Sequence, residues 1–148
     1  MQTWSPWWFA LYLPVAAIVL ANCQNRLPEP VAIAPEDMCS FCKMAISEKR
    51  YAAEFIDSDG QTFKFDDIGC MIDFIRARNN AIKVSAQFVV DFDNKQWVNA
   101  AEAYYVHTPE IKTPMGGDTI AFKEEAKAQR AAAEYRGRLL RYNDLLNL

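Results

Sequence analysis

Two thiols and two thioethers fall within the seven residues Met38–Met44 (MCSFCKM), in a chain of 148 residues that holds four Cys and five Met in all. Cys39 and Cys42, at Cys-x-x-Cys spacing, can close on each other or on one ion from a short loop. A disulfide, a zinc knuckle, a redox pair and a copper(I) site are all compatible with that spacing. Met44 adds a thioether just past Cys42, and Cys70-Met71 forms a second sulfur pair. Met115 lies in Thr113-Pro114-Met115-Gly116-Gly117, a Gly-flanked loop with no obvious core to fill, and His107 is the sole histidine.

Ligand softness separates the candidate ions. Thiolates suit zinc, iron–sulfur clusters and copper(I), whereas thioethers suit copper(I) and add little for zinc. Structural zinc draws on four Cys or His, an iron–sulfur cluster on four thiolates, and a disulfide leaves an odd thiol. A thioredoxin-like pair would follow a strand and open a helix; this one opens onto a hairpin. Copper(I) is the ion that uses all the sulfur. The candidate ligands are Cys39, Cys42, Met44 and Met115, with Cys70 or Met71 as a further one.

Bland readings stand beside these. Met71 falls on the apolar stripe of a predicted helix, where it would fill core. His107 ends a predicted strand, where a structural role competes with ligation. A thiol–disulfide redox protein and a zinc-stabilised, membrane-anchored structural domain remain open alternatives. Catalysis has little to build on: one histidine gives no Ser/His/Asp arrangement, and Asp66-Asp67 read as helix caps. Asp57, Asp59 and Gly60 make a turn and lack the spacing of a calcium loop. The net charge of −3, with no basic run, excludes nucleic acid as a partner.

The elements that must carry these residues are legible in the pattern. Tyr51–Asp57 and Gln61–Phe65, joined by Ser58-Asp59-Gly60, predict a β-hairpin. Asp66 or Asp67 then caps a helix whose Ile68, Met71, Ile72 and Ile75 recur at i, i+3, i+4 and i+7, fraying by Asn79-Asn80. This places Cys70 in the first turn, where the helix dipole favours a thiolate. Ala86–Phe92 predicts a strand. A looser second copy follows: strands at Gln96–Val98, Ala103–Val106 and Thr119–Phe122, a helix over Glu124–Tyr135, and a closing strand at Leu139–Tyr142. Phe63–Asp67 aligns with Ile120–Glu124, so the expected fold is α+β, built from two ββαβ-like halves.

The chain divides into residues 1–23, a signal or anchor segment; 24–35, a Pro-containing tether; and 36–148, the metal-binding domain. Trp7–Ala21 is fifteen residues without a charge, shorter than the roughly 20 a comfortable span needs and of signal-peptide length. It runs into Leu20-Ala21-Asn22-Cys23, which resembles a lipobox, with Cys23 as the lipidated residue. Asn22 stands where such boxes carry a smaller residue, and no Lys or Arg precedes the apolar run. Lipoprotein or uncleaved anchor, the rest of the chain faces an extracytoplasmic space. A lipidated Cys23 leaves Cys39, Cys42 and Cys70 for chemistry.

Cys39-x-x-Cys42-x-Met44, Tyr51-Ala52-Ala53, Phe65-Asp66-Asp67-Ile68-Gly69-Cys70-Met71, Ala103-Tyr104-Tyr105-Val106 and Thr113-Pro114-Met115-Gly116 together resemble the NosL family, over roughly Glu36 to Tyr142. The resemblance implies an envelope-located, lipid-anchored copper(I) chaperone with two ββαβ halves, serving assembly of the copper centres of nitrous oxide reductase. Its implied partners are the membrane and a copper-accepting apo-enzyme or assembly factor. It matches Cys39, Cys42 and Met44 to the family's Cys-and-Met motif and Met115 to its loop methionine. Cys70-Met71 resembles a Cys-Met or His-Met pair of some members.

Overall fold

A computed structural model describes Met1, residues 28–78 and residues 81–148. The anchor segment with Cys23, the start of the tether and Asn79-Asn80 lie outside the described residues. No helix among the described residues is long and apolar enough to cross a membrane.

The predicted hairpin forms as β1 (Ala53–Asp57) and β2 (Thr62–Phe65), followed by helix α1 (Ile68–Ala77) and strand β3 (Val84–Val90). β1 lies between β2 and β3, antiparallel to both. The side chains of α1 explain its seat. Phe74 packs among Phe55, Phe63 and Phe65, with ring centroids 6.0, 4.9 and 5.0 Å away. Ile68, Met71 and Ile72 are buried alongside it. Cys70 lies one turn before Phe74 and so shares its inward face. Anchoring Phe74 in the aromatic cluster therefore aims Cys70 toward the interior as well.

Strand β4 (Trp97–Asn99) corrects one expectation. It extends the first sheet as a neighbour of β3, giving the order β2-β1-β3-β4, and does not open the second half. A tight turn causes this: Asp91 N–H donates to Gln96 O (2.8 Å) and Lys95 N–H to Asp91 O (2.9 Å), folding the chain straight back.

The second half is β5 (Tyr104–His107), β6 (Thr119–Phe122), helix α2 (Glu125–Glu134) and β7 (Arg138–Leu140). Its order, β6-β5-β7, repeats β2-β1-β3. α2 turns Ala128 and Ala131 onto a smaller core with Val106, Ile120 and Phe122. The closing strand ends at Leu140, short of the expected Tyr142. Tyr142–Leu145 instead forms a one-turn helix, α3, started by Arg141 N–H donating to Asp144 Oδ2 (2.7 Å), and Leu145 plugs into the first core. The halves join where Phe92 N–H donates to Ala121 O (2.8 Å) and Lys123 N–H to Asp91 Oδ2 (2.7 Å).

Part of the Pro-containing stretch does not stand free. Val31 N–H donates to both carboxylate oxygens of the buried Glu54 (3.0 and 3.1 Å). Lys64 Nζ reaches Ala32 O (2.9 Å), Lys49 Nζ reaches Ile33 O (2.8 Å), and the Ile33 side chain is buried. Phe55 faces α1, so Glu54 projects from the other face of the sheet, and this strap covers it.

Candidate metal centre

The Cys-x-x-Cys loop is held to the outer edge of β2. Ser40 N–H donates to Lys64 O (2.7 Å), and Lys64 N–H donates back to Ser40 Oγ (3.2 Å). The loop thus covers backbone groups that an edge strand would otherwise expose. Within it, Cys39 N–H donates to Met44 O (2.8 Å) and Lys43 N–H to Cys39 O (3.0 Å), with Lys43 in the left-handed region at φ 65°. Lys64 Nζ pairs with Asp37 Oδ2 at 2.5 Å, pinning the strap, the loop and β2 at one point. That ammonium hydrogen bond holds the Asp37 carboxyl below its ordinary value.

This docking sets the loop thiols opposite the first turn of α1. Donor atoms of Cys39, Cys42, Asp66 and Cys70 all lie within 4.8 Å of one another. Cys39, Cys70 and Asp66 are almost fully enclosed, and Cys42 is partly open. All three cysteines are free thiols. Cys42 Sγ lies 3.7 Å from each oxygen of Asp66.

The three thiols are not equivalent. The Cys70 thiol donates to the Cys39 sulfur and, against the cost of burial, holds Cys39 down at about 4. Cys70, as the donor beside that thiolate, is pushed up instead. The depression expected from the helix dipole at Cys70 therefore appears on its partner: a proton shared between close sulfurs outweighs a fraction of a charge at a helix end. Burial raises Cys42 and Asp66.

The methionines divide between surface and core. Met44 and Met115 are exposed at 54% and 45%, whereas Met71 is fully enclosed among the core residues of α1. Met115 reaches the cluster's flank through Asp67. The Asp67 carboxylate caps α1 by accepting from Gly69 N–H (2.5 Å), and it also accepts from Thr113 Oγ1 and from Met115 N–H (3.3 Å). Met115, Cys70 and Phe41 consequently line one cavity of about 150 Å³. Contact between the loop and α1 is close: a Cβ on Gly117 would lie 2.5 Å from Asp67 Oδ1 and 3.1 Å from Gly69 Cα.

His107 lies apart from the thiol cluster. Thr119 Oγ1 gives its proton to Gly117 O (2.8 Å) and so accepts from His107 Nδ1 (3.2 Å), fixing the ring in the wall of a separate cavity beside Arg76. Asp66 is the cluster member that the pattern did not single out. Two adjacent acids before a helix both look like caps; only Asp67 is one. Asp66 stands four positions before Cys70, and that spacing was its one faint signal.

The family model described as NosL matches residues 30–147. The chain belongs to the NosL family. It is 28% identical over 131 residues to the copper-binding lipoprotein NosL of Stutzerimonas stutzeri, a match that covers 79% of this chain and 66% of that protein's length. Its fold matches the crystal structure of the copper chaperone NosL from Shewanella denitrificans with a TM-score of 0.69 at 19% identity, over 78% of this chain and 94% of that one. Two ββα units, each completed by a strand on the far side of its first strand, thus account for both the internal repeat and the family's fold.

Proposed function

We propose that the chain is a membrane-anchored, extracytoplasmic copper(I) carrier that delivers its ion for assembly of a copper enzyme, with nitrous oxide reductase as the client. The observation that carries this reading is the convergence of three free thiols, from the Cys39–Cys42 loop and from α1, with the exposed Met44 two residues past Cys42 and the exposed Met115 lining a cavity with Cys70. Soft sulfur of both kinds suits the cuprous ion over harder cations. Cys39 and Cys42 anchor the ion, and Met44 and Met115 complete its surroundings from the surface. Cys70 serves as the further ligand, because Met71 is enclosed in the core.

A carrier must also release its ion. An acceptor sulfur can bond to copper(I) at the exposed rim before a thioether of the donor leaves, so the ion is never free. Buried thiols supply retention, and exposed methionines supply the exit. The protein then works as a carrier and not as a catalyst. Anchorage through Cys23 would keep the exchange near the membrane: the strap docks from Val31, and the eight Cα-to-Cα steps from Cys23 to Val31 reach at most about 28 Å.

The test is transfer. Copper-loaded protein is mixed anaerobically with copper-free acceptor in the presence of a chelator that scavenges released ion. Loading of the acceptor despite the chelator supports direct delivery. Loading no better than from the cuprous chelate alone contradicts it.

A further inference from the structure

When two of three clustered thiols pair, one is left over, and the fold decides which. Cys39 and Cys42 stand three positions apart in a single turn, closed by Lys43 N–H donating to Cys39 O (3.0 Å) and Cys39 N–H donating to Met44 O (2.8 Å). Cys70 belongs to another element: it shares the inward face of α1 with Phe74, which the aromatic cluster holds in place. Access divides the three further. Cys39 is 0% exposed and Cys70 3%, whereas Cys42 is partly open. Cys42 is therefore the sulfur of this cluster that a reagent in solution can reach. Its Sγ also lies 3.7 Å from each oxygen of the buried Asp66, which keeps it beside the other two thiols, all within 4.8 Å.

We propose that Cys39 and Cys42 form a reversible disulfide by exchange with a small external disulfide, while Cys70 stays reduced beside them. The exchange has two steps. Cys42 Sγ, as thiolate, attacks one sulfur of the external disulfide, forming a mixed disulfide and expelling a thiolate. Cys39 Sγ then attacks Cys42 Sγ, which closes the bond within the turn and expels the second thiolate. The two cysteines lose two electrons and two protons, and the reagent ends as two thiols. Closure draws the two sulfurs from at most 4.8 Å to about 2.0 Å. Cys42, on the open side of the turn, has room for that move. A bond between Cys39 and Cys70 has no such beginning, because both sulfurs are enclosed. Cys39 outcompetes Cys70 in the second step because it shares the turn with Cys42, so closure shifts no helix against the sheet. The disulfide stands on this geometry alone. Its consequence rests on the carrier reading: oxidation withdraws both copper(I) anchors, so the loop loads only when reduced, and a loaded ion shields it from oxidation.

The experiment equilibrates the full chain, metal-free and anaerobic, with a series of glutathione and glutathione disulfide mixtures. Remaining thiols are then alkylated in denaturant and located by peptide mass, which reads Cys23 separately. Cys39 and Cys42 should be lost together in one two-electron step and recovered on return to reducing mixtures, with Cys70 alkylated throughout. Cys70→Ser should close the same bond, and where that variant does not fold the wild-type map decides. In Cys42→Ser, Cys39 and Cys70 should both resist the reagent. Three thiols surviving in the most oxidising mixture, a bond that includes Cys70, glutathione left standing on Cys42, or oxidation of Cys39 in folded Cys42→Ser would each overturn the proposal. The oxidised protein should bind copper(I) at least about a hundredfold more weakly than the reduced, and copper(I) added first should block oxidation. Failure of these last two, with the disulfide mapped as expected, counts against the carrier reading and leaves the disulfide standing.

Discussion

The N–H of Met115 donates to the carboxylate of Asp67 at 3.3 Å, so the residue that caps α1 also holds the methionine loop beside Cys70. One side chain thereby sets the distance between a helix thiol and a loop thioether that lie far apart in sequence. Asp67→Ala removes both functions and no proposed ligand. It should cost at least about 1 kcal/mol of stability as a lost cap and also lower copper(I) affinity. Thermal unfolding and chelator competition on the same variant check the two effects. A variant that loses stability but keeps full affinity would separate loop position from binding.

Gly117→Ala probes the same contact from the other side. An added Cβ meets Asp67 Oδ1 at 2.5 Å and the Gly69 backbone at 3.1 Å, so loop and helix must part. Overpacking of this kind costs about 1–3 kcal/mol. The expected outcome is a destabilised protein with weakened copper(I) binding, read by the same two measurements. Gly60→Ala is the control: no atom lies within 4 Å of its new Cβ, and its turn is at the far end of the hairpin from the thiols, so only stability should change.

Exposure separates the methionines. Met44→Leu and Met115→Leu alter side chains that are largely in solvent, so stability should stay within about 0.5 kcal/mol while copper(I) affinity falls. Met71→Leu, in the fully enclosed position, should shift stability by under about 1.5 kcal/mol and leave affinity unchanged. Circular dichroism melts alongside cuprous titrations decide the matter. An affinity loss in Met71→Leu alone would reverse the assignment.

The strap carries a pH dependence of its own. Burial raises the pKa of Glu54 above its ordinary 4.5, so the folded state prefers the neutral acid. For a carboxyl shifted this way, its contribution to stability is full below the ordinary value and declines as pH rises through the raised one. Glu54→Gln keeps the acceptor for Val31 N–H and removes the charge. It should be more stable than wild type at neutral pH, with the gap closing well below 4.5. Unfolding followed across that pH range tests the sign, which a neutral-pH loss of stability would refute.

Much of the architecture was legible because it rests on local pattern. Ile68, Met71 and Ile72 mark the buried face of α1, Ser58-Asp59-Gly60 turns the hairpin, and the likeness of Phe63–Asp67 to Ile120–Glu124 reports the repeat. What escaped rests on contacts between distant segments. Nothing local says that Trp97–Asn99 returns to β3, because a three-residue strand has too short a pattern to choose its sheet. α3, a single turn, is likewise below the length at which a helical period can be read. In the centre, the thiols announced themselves by type, and their meeting point did not. The Ser40–Lys64 hydrogen bonds that dock the loop on β2 involve residues with no chemical signature. Asp66 was hidden behind Asp67, since either acid can cap a helix.

The most direct measurement is the affinity of the reduced, anaerobic protein for copper(I), against a chromophoric chelator, in wild type, Cys39→Ser and Cys42→Ser. The account predicts one tightly held cuprous ion in the wild type and a loss of at least about a hundredfold in either variant, since each removes a thiolate anchor worth several kcal/mol. Wild-type affinity retained in both serine variants, with the fold intact, would contradict it.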